Sequence, residues 1–311
     1  MAARLYRAVL HRGPLARVHQ GRFPGRHPRL PIEGTALRPH QLATHRESLR
    51  GGEKLKRVLS ALFIIPPLLL FVLFGPPWSL SLVVLGVSLL ALGEFYRLTL
   101  GAGGMWPLLG VVPVALAHWG DLEGLALSPL LVLFLISLHH LVFGPTSLDG
   151  LRRSALLFLG TIYVPFTMAH LILLVRLPEG MKWLLLLVAC LWIGDTVALL
   201  VGNLMGRRPL APRVSPKKTV EGALGCLAGV GLTLLLFRAL YLPHMSLSLG
   251  VLLALGIGVL GQLGDLSESL IKRAAGVKDS GSLIPGHGGM LDRLDSFLFT
   301  SPFVYYLLRM G

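Results

Sequence analysis

From about Lys56 onward the chain alternates long apolar runs with short polar breaks. Runs close to spanning length fall at roughly 56–74, 79–98, 105–119, 125–143, 154–175, 182–204, 222–241, 247–266 and 294–309, the third and ninth being short. About 20 mostly apolar residues cross the hydrocarbon core of a bilayer as a helix. Backbone amides inside lipid must bond within their own segment, so such runs fold as helices. Nine of them in 311 residues are too many for one buried soluble core. The pattern predicts an all-α fold: a polytopic integral membrane bundle of about nine transmembrane helices.

Composition agrees. The chain is 53% hydrophobic and 14% charged, with a mean hydropathy of +0.70, whereas soluble domains carry about 25% charged residues. The net charge of +14 is unevenly placed: residues 1–57 hold 13 of the 29 Lys and Arg and 3 of the 15 acids, hence +10 of the total. That region contains Pro14, Pro24, Pro28, Pro31 and Pro39 and no sustained apolar period. Residues 1–54 therefore read as a disordered basic extension, suited to lying on anionic lipid, or as sequence upstream of a true start near Leu55. They have no continuous apolar core of a secretory signal. Their charge is not read as a nucleic-acid surface. Residues 55–311 form the membrane domain.

Lys and Arg in short loops set orientation. With the N-terminus inside, the cytoplasmic side receives Arg97, Arg152, Arg153, the cluster Arg207, Arg208, Arg213, Lys217 and Lys218, and the loop at 267–293. The opposite side receives Asp121 and Glu123, then Arg176, Glu179 and Lys182, then His244. Both large polar loops then share the cytoplasmic face. This holds only if the number of spans before each is even.

Cys190 and Cys226 lie inside apolar runs without a CxxC partner and read as small packing residues. Gly222, Gly225, Gly229 and Gly231 are placed to let helices approach closely. Acids inside apolar spans are costly and face a polar interior. Asp195, Asp265, Asp292 and Asp295 all fall near the cytoplasmic end of their runs. Asp265 and Asp292 are the leading candidates for metal ligands, because carboxylates together with substrate phosphates form the usual Mg2+ cage. The alternative is that they form structural ion pairs with Lys272, Arg273 or Arg293, and spacing does not decide between the two. Glu94 reads as a partner of Arg97.

The loop Arg207 to Gly222 carries Pro209, Pro212 and Pro216, which stop helices. Ser215-Pro216 reads as the start of the next helix, with Thr219 and Glu221 in its first turn. Two lysines and a hydroxyl at a helix N-terminus can cradle phosphate; a positive anchor loop would need only the charges. His287 lies among Gly286, Gly288 and Gly289. Glycines allow φ > 0 and close approach to a ligand, and exposed amides there can bind an anion.

The segment Ser269-Leu-Ile-Lys272-Arg273, then Lys278-Asp279-Ser-Gly, then Ile-Pro-Gly-His287-Gly-Gly-Met-Leu-Asp292-Arg293-Leu-Asp295 resembles the C-terminal pattern of the phosphatidate cytidylyltransferases, the CDP-diacylglycerol synthases. Gly-Asp265-Leu-Ser-Glu-Ser269 and Leu210-x-Pro212-x-x-Ser215-Pro216-x-Lys218-Thr219-x-Glu221-Gly222 are also similar to that family. The resemblance runs from about Leu55 to the end. It implies a helical membrane enzyme that transfers CMP from CTP to phosphatidate, forming CDP-diacylglycerol and pyrophosphate. It also implies a Mg2+ requirement, with a second cation conceivable, and a homodimer in the inner membrane whose site faces the cytoplasm and lipid. By motif position it assigns Asp265 and Asp292 to metal and Ser269, Lys272 and Arg273 to the same site. Ser215, Lys218 and Thr219 fall beside the nucleotide. Lys278, Asp279, His287, Arg293 and Asp295 fill motif positions without separate roles. One departure is Asp195-Thr-Val-Ala-Leu199, where the family often has tyrosine in place of Leu199.

The rival class is an ion-coupled membrane transporter, which would carry its acids near mid-bilayer. A phosphatidyltransferase that consumes CDP-lipid would carry a compact Asp-Gly…Ala-Arg…Gly…Asp…Asp motif, which this chain lacks.

Overall fold

The computed structural model describes residues 70–76, 78–101, 104–281 and 288–310. The extension 1–54 and His287 lie outside the described residues, as does all of the first expected span except 70–74, which are helical. The elements are α1 (Ser79–Leu100), a 3-10 turn (Trp106–Gly110), α2 (Val111–Phe143), α3 (Leu148–Thr161), a π-helical turn (Ile162–Phe166), α4 (Thr167–Val175), α5 (Gly180–Met205), β1 (Pro209–Ala211), β2 (Ser215–Thr219), α6 (Val220–Leu240), α7 (Leu247–Ala274) and α8 (Leu291–Met310).

Among the described residues, six helical segments are long and apolar enough to cross a membrane. α3, the π turn and α4 make up one of them. The count of nine is not reproduced, and the differences have local causes. The expected third and fourth spans are one helical run, Trp106–Phe143, broken at Asp121, whose φ of 51° and ψ of −146° are non-helical. The break is a reversal. A Cβ on Gly124 would lie 2.6 Å from the carbonyl oxygen of Leu116, whereas a straight helix separates residues eight apart by about 12 Å. The ninth span exists as α8, but Asp292, Arg293, Asp295 and Arg309 make it too charged to qualify by composition.

The surface is apolar, while charged groups are buried within an otherwise apolar interior. Leu141 and Leu204 are each 83% exposed, while Glu94 and Glu268 are each 0% exposed. In water that arrangement would be costly; in hydrocarbon it is the low-energy one. The chain is a multi-pass helical membrane protein.

The helices pack tightly where small residues face one another. At the α5–α6 seam, a Cβ on Gly222 would come 2.9 Å from the Ala198 carbonyl oxygen, one on Gly225 2.8 Å from Val201, and one on Gly229 3.0 Å from Val197. Gly231 meets nothing within 4 Å and serves no such purpose.

The one correction to the all-α reading is small. β1 and β2 form an antiparallel hairpin pairing Pro209 with Thr219 and Ala211 with Ser215. Ser215-Pro216 therefore does not begin a helix, because a residue before proline is pushed toward extended backbone. α6 starts at Val220, with the Thr219 hydroxyl accepting the Gly222 N–H at 3.1 Å in a standard N-cap role.

Candidate active site

The buried charged groups gather at one end of the bundle. α7 contributes Asp265, Glu268, Ser269 and Lys272, spaced i, i+3, i+4 and i+7, so all four lie on one helical face. α8 contributes Asp292 and Asp295, one turn apart at its start. β2 contributes Lys218.

Carboxylate oxygens of Asp265, Glu268 and Asp295 lie within 4.8 Å of one another. Lys218 is ion-paired with Asp265. Lys272 sits between Glu268 at 2.6 Å and Asp292 at 2.5 Å. Asp195 lies in electrostatic reach of Asp265 and Lys218. Five carboxylates thus surround two ammonium groups. Glu268 Oε1 is buried and has no hydrogen-bond partner among the described residues. Crowded, incompletely partnered carboxylates of this kind suit a hard divalent cation, which takes oxygen ligands.

Asp292 is tied down differently. Its Oδ1 accepts from Lys272. Its Oδ2 accepts from the Ser280 N–H at 3.1 Å, the Ser280 hydroxyl at 2.9 Å and the Gly289 N–H at 2.8 Å. Each carboxylate oxygen has about two lone-pair sites: Oδ2 is fully engaged, while Oδ1, which holds Lys272, keeps one site toward the cluster. Asp292 can ligate a cation through Oδ1, fully so on releasing Lys272.

The other sequence-predicted residues fall as follows. Ser269 Oγ is 3.5 Å from Asp265 Oδ1. Arg273 pairs with no acid among the described residues; it donates to the carbonyls of Val214 at 3.3 Å and Val277 at 3.2 Å, fastening the β-hairpin to the end of α7. Ser215 and Thr219 are half-buried on the hairpin, and Lys278, Asp279 and Arg293 are exposed around the mouth. Glu221 accepts the N–H groups of Arg207 and Arg208 at 3.0 and 3.2 Å, closing the base of the hairpin.

Three residues of this region escaped the sequence reading. Glu268, in the lead-in to the motif, is on the same face as Asp265, and that spacing was its available signal. Tyr163 stands on the π turn with a buried, unpartnered hydroxyl, stacked near Phe95 and Phe299 and within electrostatic reach of Glu268, Asp295 and Asp265. π turns recur at functional sites. Glu94 does not pair with Arg97: it turns inward and accepts from the Ser280 hydroxyl and the Leu291 N–H.

Trp192, Asp195, Thr196 and Leu199 lie exposed along α5, and Asp195 is in electrostatic reach of Asp265, so the cluster borders the apolar surface on this side. Leu199, where the resembling pattern has tyrosine, is 64% exposed there.

Residues 55–310 match the cytidylyltransferase family. Among curated proteins, the chain is similar to the phosphatidate cytidylyltransferase of Synechocystis sp., 51% identical over 135 residues (42% of this chain and 44% of that protein). It is similar to the phosphatidate cytidylyltransferase of Bacillus subtilis, 41% identical over 159 residues (49% and 57%). It is also similar to the uncharacterized protein YnbB of Escherichia coli, 34% identical over 245 residues (76% and 82%). The chain spans about half the length of the two named transferases it matches.

Proposed function

Since the chain belongs to the cytidylyltransferase family, we propose that it transfers CMP from CTP to phosphatidate, making CDP-diacylglycerol and pyrophosphate for phospholipid synthesis. The observation that carries this reading is the carboxylate cluster of Asp265, Glu268 and Asp295, with its buried unpartnered oxygen, at the junction of the two basic polar loops.

A phosphate oxygen of phosphatidate attacks the α-phosphorus of CTP. The new P–O bond forms as the bond to the β-phosphate breaks, and pyrophosphate leaves with the electron pair. A phosphate monoester is largely ionised near neutral pH, with its second pKa near 6, so the nucleophile needs placement and charge neutralisation more than a base. Asp265, Glu268 and Asp295, with Asp292 once it releases Lys272, would hold Mg2+, and room for a second cation is consistent with five carboxylates. When bound, the metal offsets the negative charge of both reactants. Lys218 and Lys272, freed from their carboxylates, are then free to meet phosphate oxygens, and the exposed Lys278 and Arg293 line the approach. Ser215, Thr219 and the hairpin shape the nucleotide side, with Arg273 holding the hairpin in place. Such electrostatic placement supplies most of the acceleration in reactions of this class.

Phosphatidate enters along α5 with its acyl chains still in lipid, because extracting them would cost about 0.8 kcal/mol per CH2. The Lys/Arg bias of the loops supports an inner-membrane enzyme with this end toward the cytoplasm, and a homodimer is the expected assembly. A transporter is not supported by acids grouped at one end of the bundle beneath polar loops.

Phosphatidate vesicles containing the protein, given labelled CTP and Mg2+, should form CDP-lipid, and EDTA should abolish it. Asp265→Asn and Asp292→Asn should each lower turnover at least about 1,000-fold, the scale of losing charge stabilisation at a transfer site, while the protein stays in the membrane. Absence of CDP-lipid with the wild-type protein would refute the reading.

A further inference from the structure

Glu94 is 0% exposed in α1, and the reaction above gives it no task. Its Oε2 accepts the Leu291 N–H at 2.9 Å and shares the single hydroxyl hydrogen of Ser280, 3.0 Å away, with Asp292 Oδ2 at 2.9 Å. These donors lie 186 and 197 positions later in the chain. They bracket the connection between α7 and α8: Ser280 lies just after α7, and Leu291 is the first residue of α8. Both adjoin Asp292, Ser280 by bonding to it and Leu291 as its chain neighbour.

The surrounding glycines are shaped to this carboxylate. A Cβ on Gly281 would lie 2.6 Å from Glu94 Oε1, and one on Gly289 would overlap Glu94 Oε2 and the Ser280 hydroxyl. Neither has a positive φ; Gly288, at 81°, does. Gly281 and Gly289 are therefore glycine because the Glu94 head fills the space a side chain would need. Glu94 Oε1 has no partner among the described residues, so the contact rests on Oε2 alone.

We propose that Glu94 is a positioning residue for the transfer reaction, a two-point latch from α1 that fixes Asp292 against Lys272 and the carboxylate cluster. This rests on the nucleotidyl-transfer reading. Glu94 acts through Ser280 and Leu291, and its acceptor oxygen is the property that counts. Glutamine can present its carbonyl oxygen to the same two donors and place its amide where Oε1 now stands. Methionine has similar bulk and no acceptor of comparable strength.

The test compares Glu94→Gln, Glu94→Met and Ser280→Ala in the full chain. In vesicles, Glu94→Met should lower kcat about 100-fold, the scale of a 1 Å misplacement, with KM for CTP moving less than about threefold. Glu94→Gln should recover to within about tenfold of wild type. Independently, hydrogen exchange of residues 278–281 and 288–291 in the solubilised protein should speed up about tenfold or more in Glu94→Met and Ser280→Ala, and remain at the wild-type rate in Glu94→Gln. Unchanged exchange in Ser280→Ala and in any folded Glu94→Met overturns the latch, as does a Glu94→Gln as inactive as Glu94→Met. Should Glu94→Met not fold, Glu94→Asp, which keeps the charge but draws the acceptor back from both donors, decides by the same measurement, because Ser280→Ala also removes the contact of that hydroxyl with Asp292. If wild-type protein makes no CDP-lipid, the reaction fails as a reading, and the exchange rates still decide whether Glu94 holds the connection.

Discussion

At Asp292 an anion is held by its donors: Lys272, Gly289 and Ser280 all point hydrogens at it. The position suits this, because an anion in the first turn of α8 also meets the positive end of the helix dipole. Asp292→Asn keeps the shape but turns one acceptor oxygen into a donor facing these same groups, so it should cost about 1–3 kcal/mol, seen as a lower melting temperature at neutral pH. An Asn variant that melts with wild type would show that these donors do not hold the anion. The same scale shows what a linear reading can and cannot reach. Asp265, Asp292 and Asp295 were found because they crowd polar breaks in an apolar pattern, and Ser269 and Lys272 because they fill positions of a family motif. Glu94 was assigned to Arg97 because local spacing offered that partner. Its true donors are nearly 200 positions away, and no periodicity carries that information.

Between elements, the decisive contact is the α5–α6 seam, because α6 begins at the hairpin that brings Lys218 to Asp265. At Gly222 the neighbour is the Ala198 carbonyl oxygen, 2.9 Å from a would-be Cβ. Backbone cannot step aside as a flexible side chain can. Gly222→Ala should thus force the helices apart at a cost of about 1–3 kcal/mol, seen as a lower melting temperature, and should raise KM for CTP by shifting the hairpin. Gly231→Ala is the control: it opens onto empty space and should be neutral or stabilising by up to about 1 kcal/mol, as alanine is the better helix former. Equal losses in both variants would mean that helix approach at this seam is not what matters. Three of the four glycines in this run could be read as packing positions from sequence. Which one points away could not, since that depends on how α6 is rotated. The hairpin was likewise hidden. Three prolines announced a break in helix, but strand pairing between Pro209–Ala211 and Ser215–Thr219 is set by what the loop closes over.

For the molecule as a whole, the reversal at Asp121 decides which loops share a face. Without it, Trp106–Phe143 would be one crossing, and every later helix would run the opposite way relative to α1. With it, α1 ends, α2 begins and ends, α6 begins, α7 ends and α8 begins at one end of the bundle. That is where Glu94, Lys218, Asp265 and Asp292 meet. The other end receives the turn at Asp121, and there Arg176, from the end of α4, donates to Asp121 at 2.5 Å and to the His118 carbonyl oxygen. The apolar pattern parted this stretch into 105–119 and 125–143, yet pattern alone does not say that the chain turns back between them. The signal was slight: Gly120-Asp121 and Glu123-Gly124 within an otherwise apolar stretch. The arrangement predicts a labelling pattern. Cysteines introduced at the exposed Glu123 and at the exposed Arg213 should lie on opposite faces of the membrane. Cys190 and Cys226 are buried and should contribute little background. An impermeant maleimide added to intact cells should label Glu123→Cys at once and Arg213→Cys only after permeabilisation, given the Lys/Arg bias of the loops. Labelling in the reverse order would overturn the orientation and leave the bundle intact. Failure of Glu123→Cys to label from either side, as for a residue in the middle of a crossing, would mean that the chain does not turn back at Asp121, and the meeting of the two polar loops would then have no structural basis.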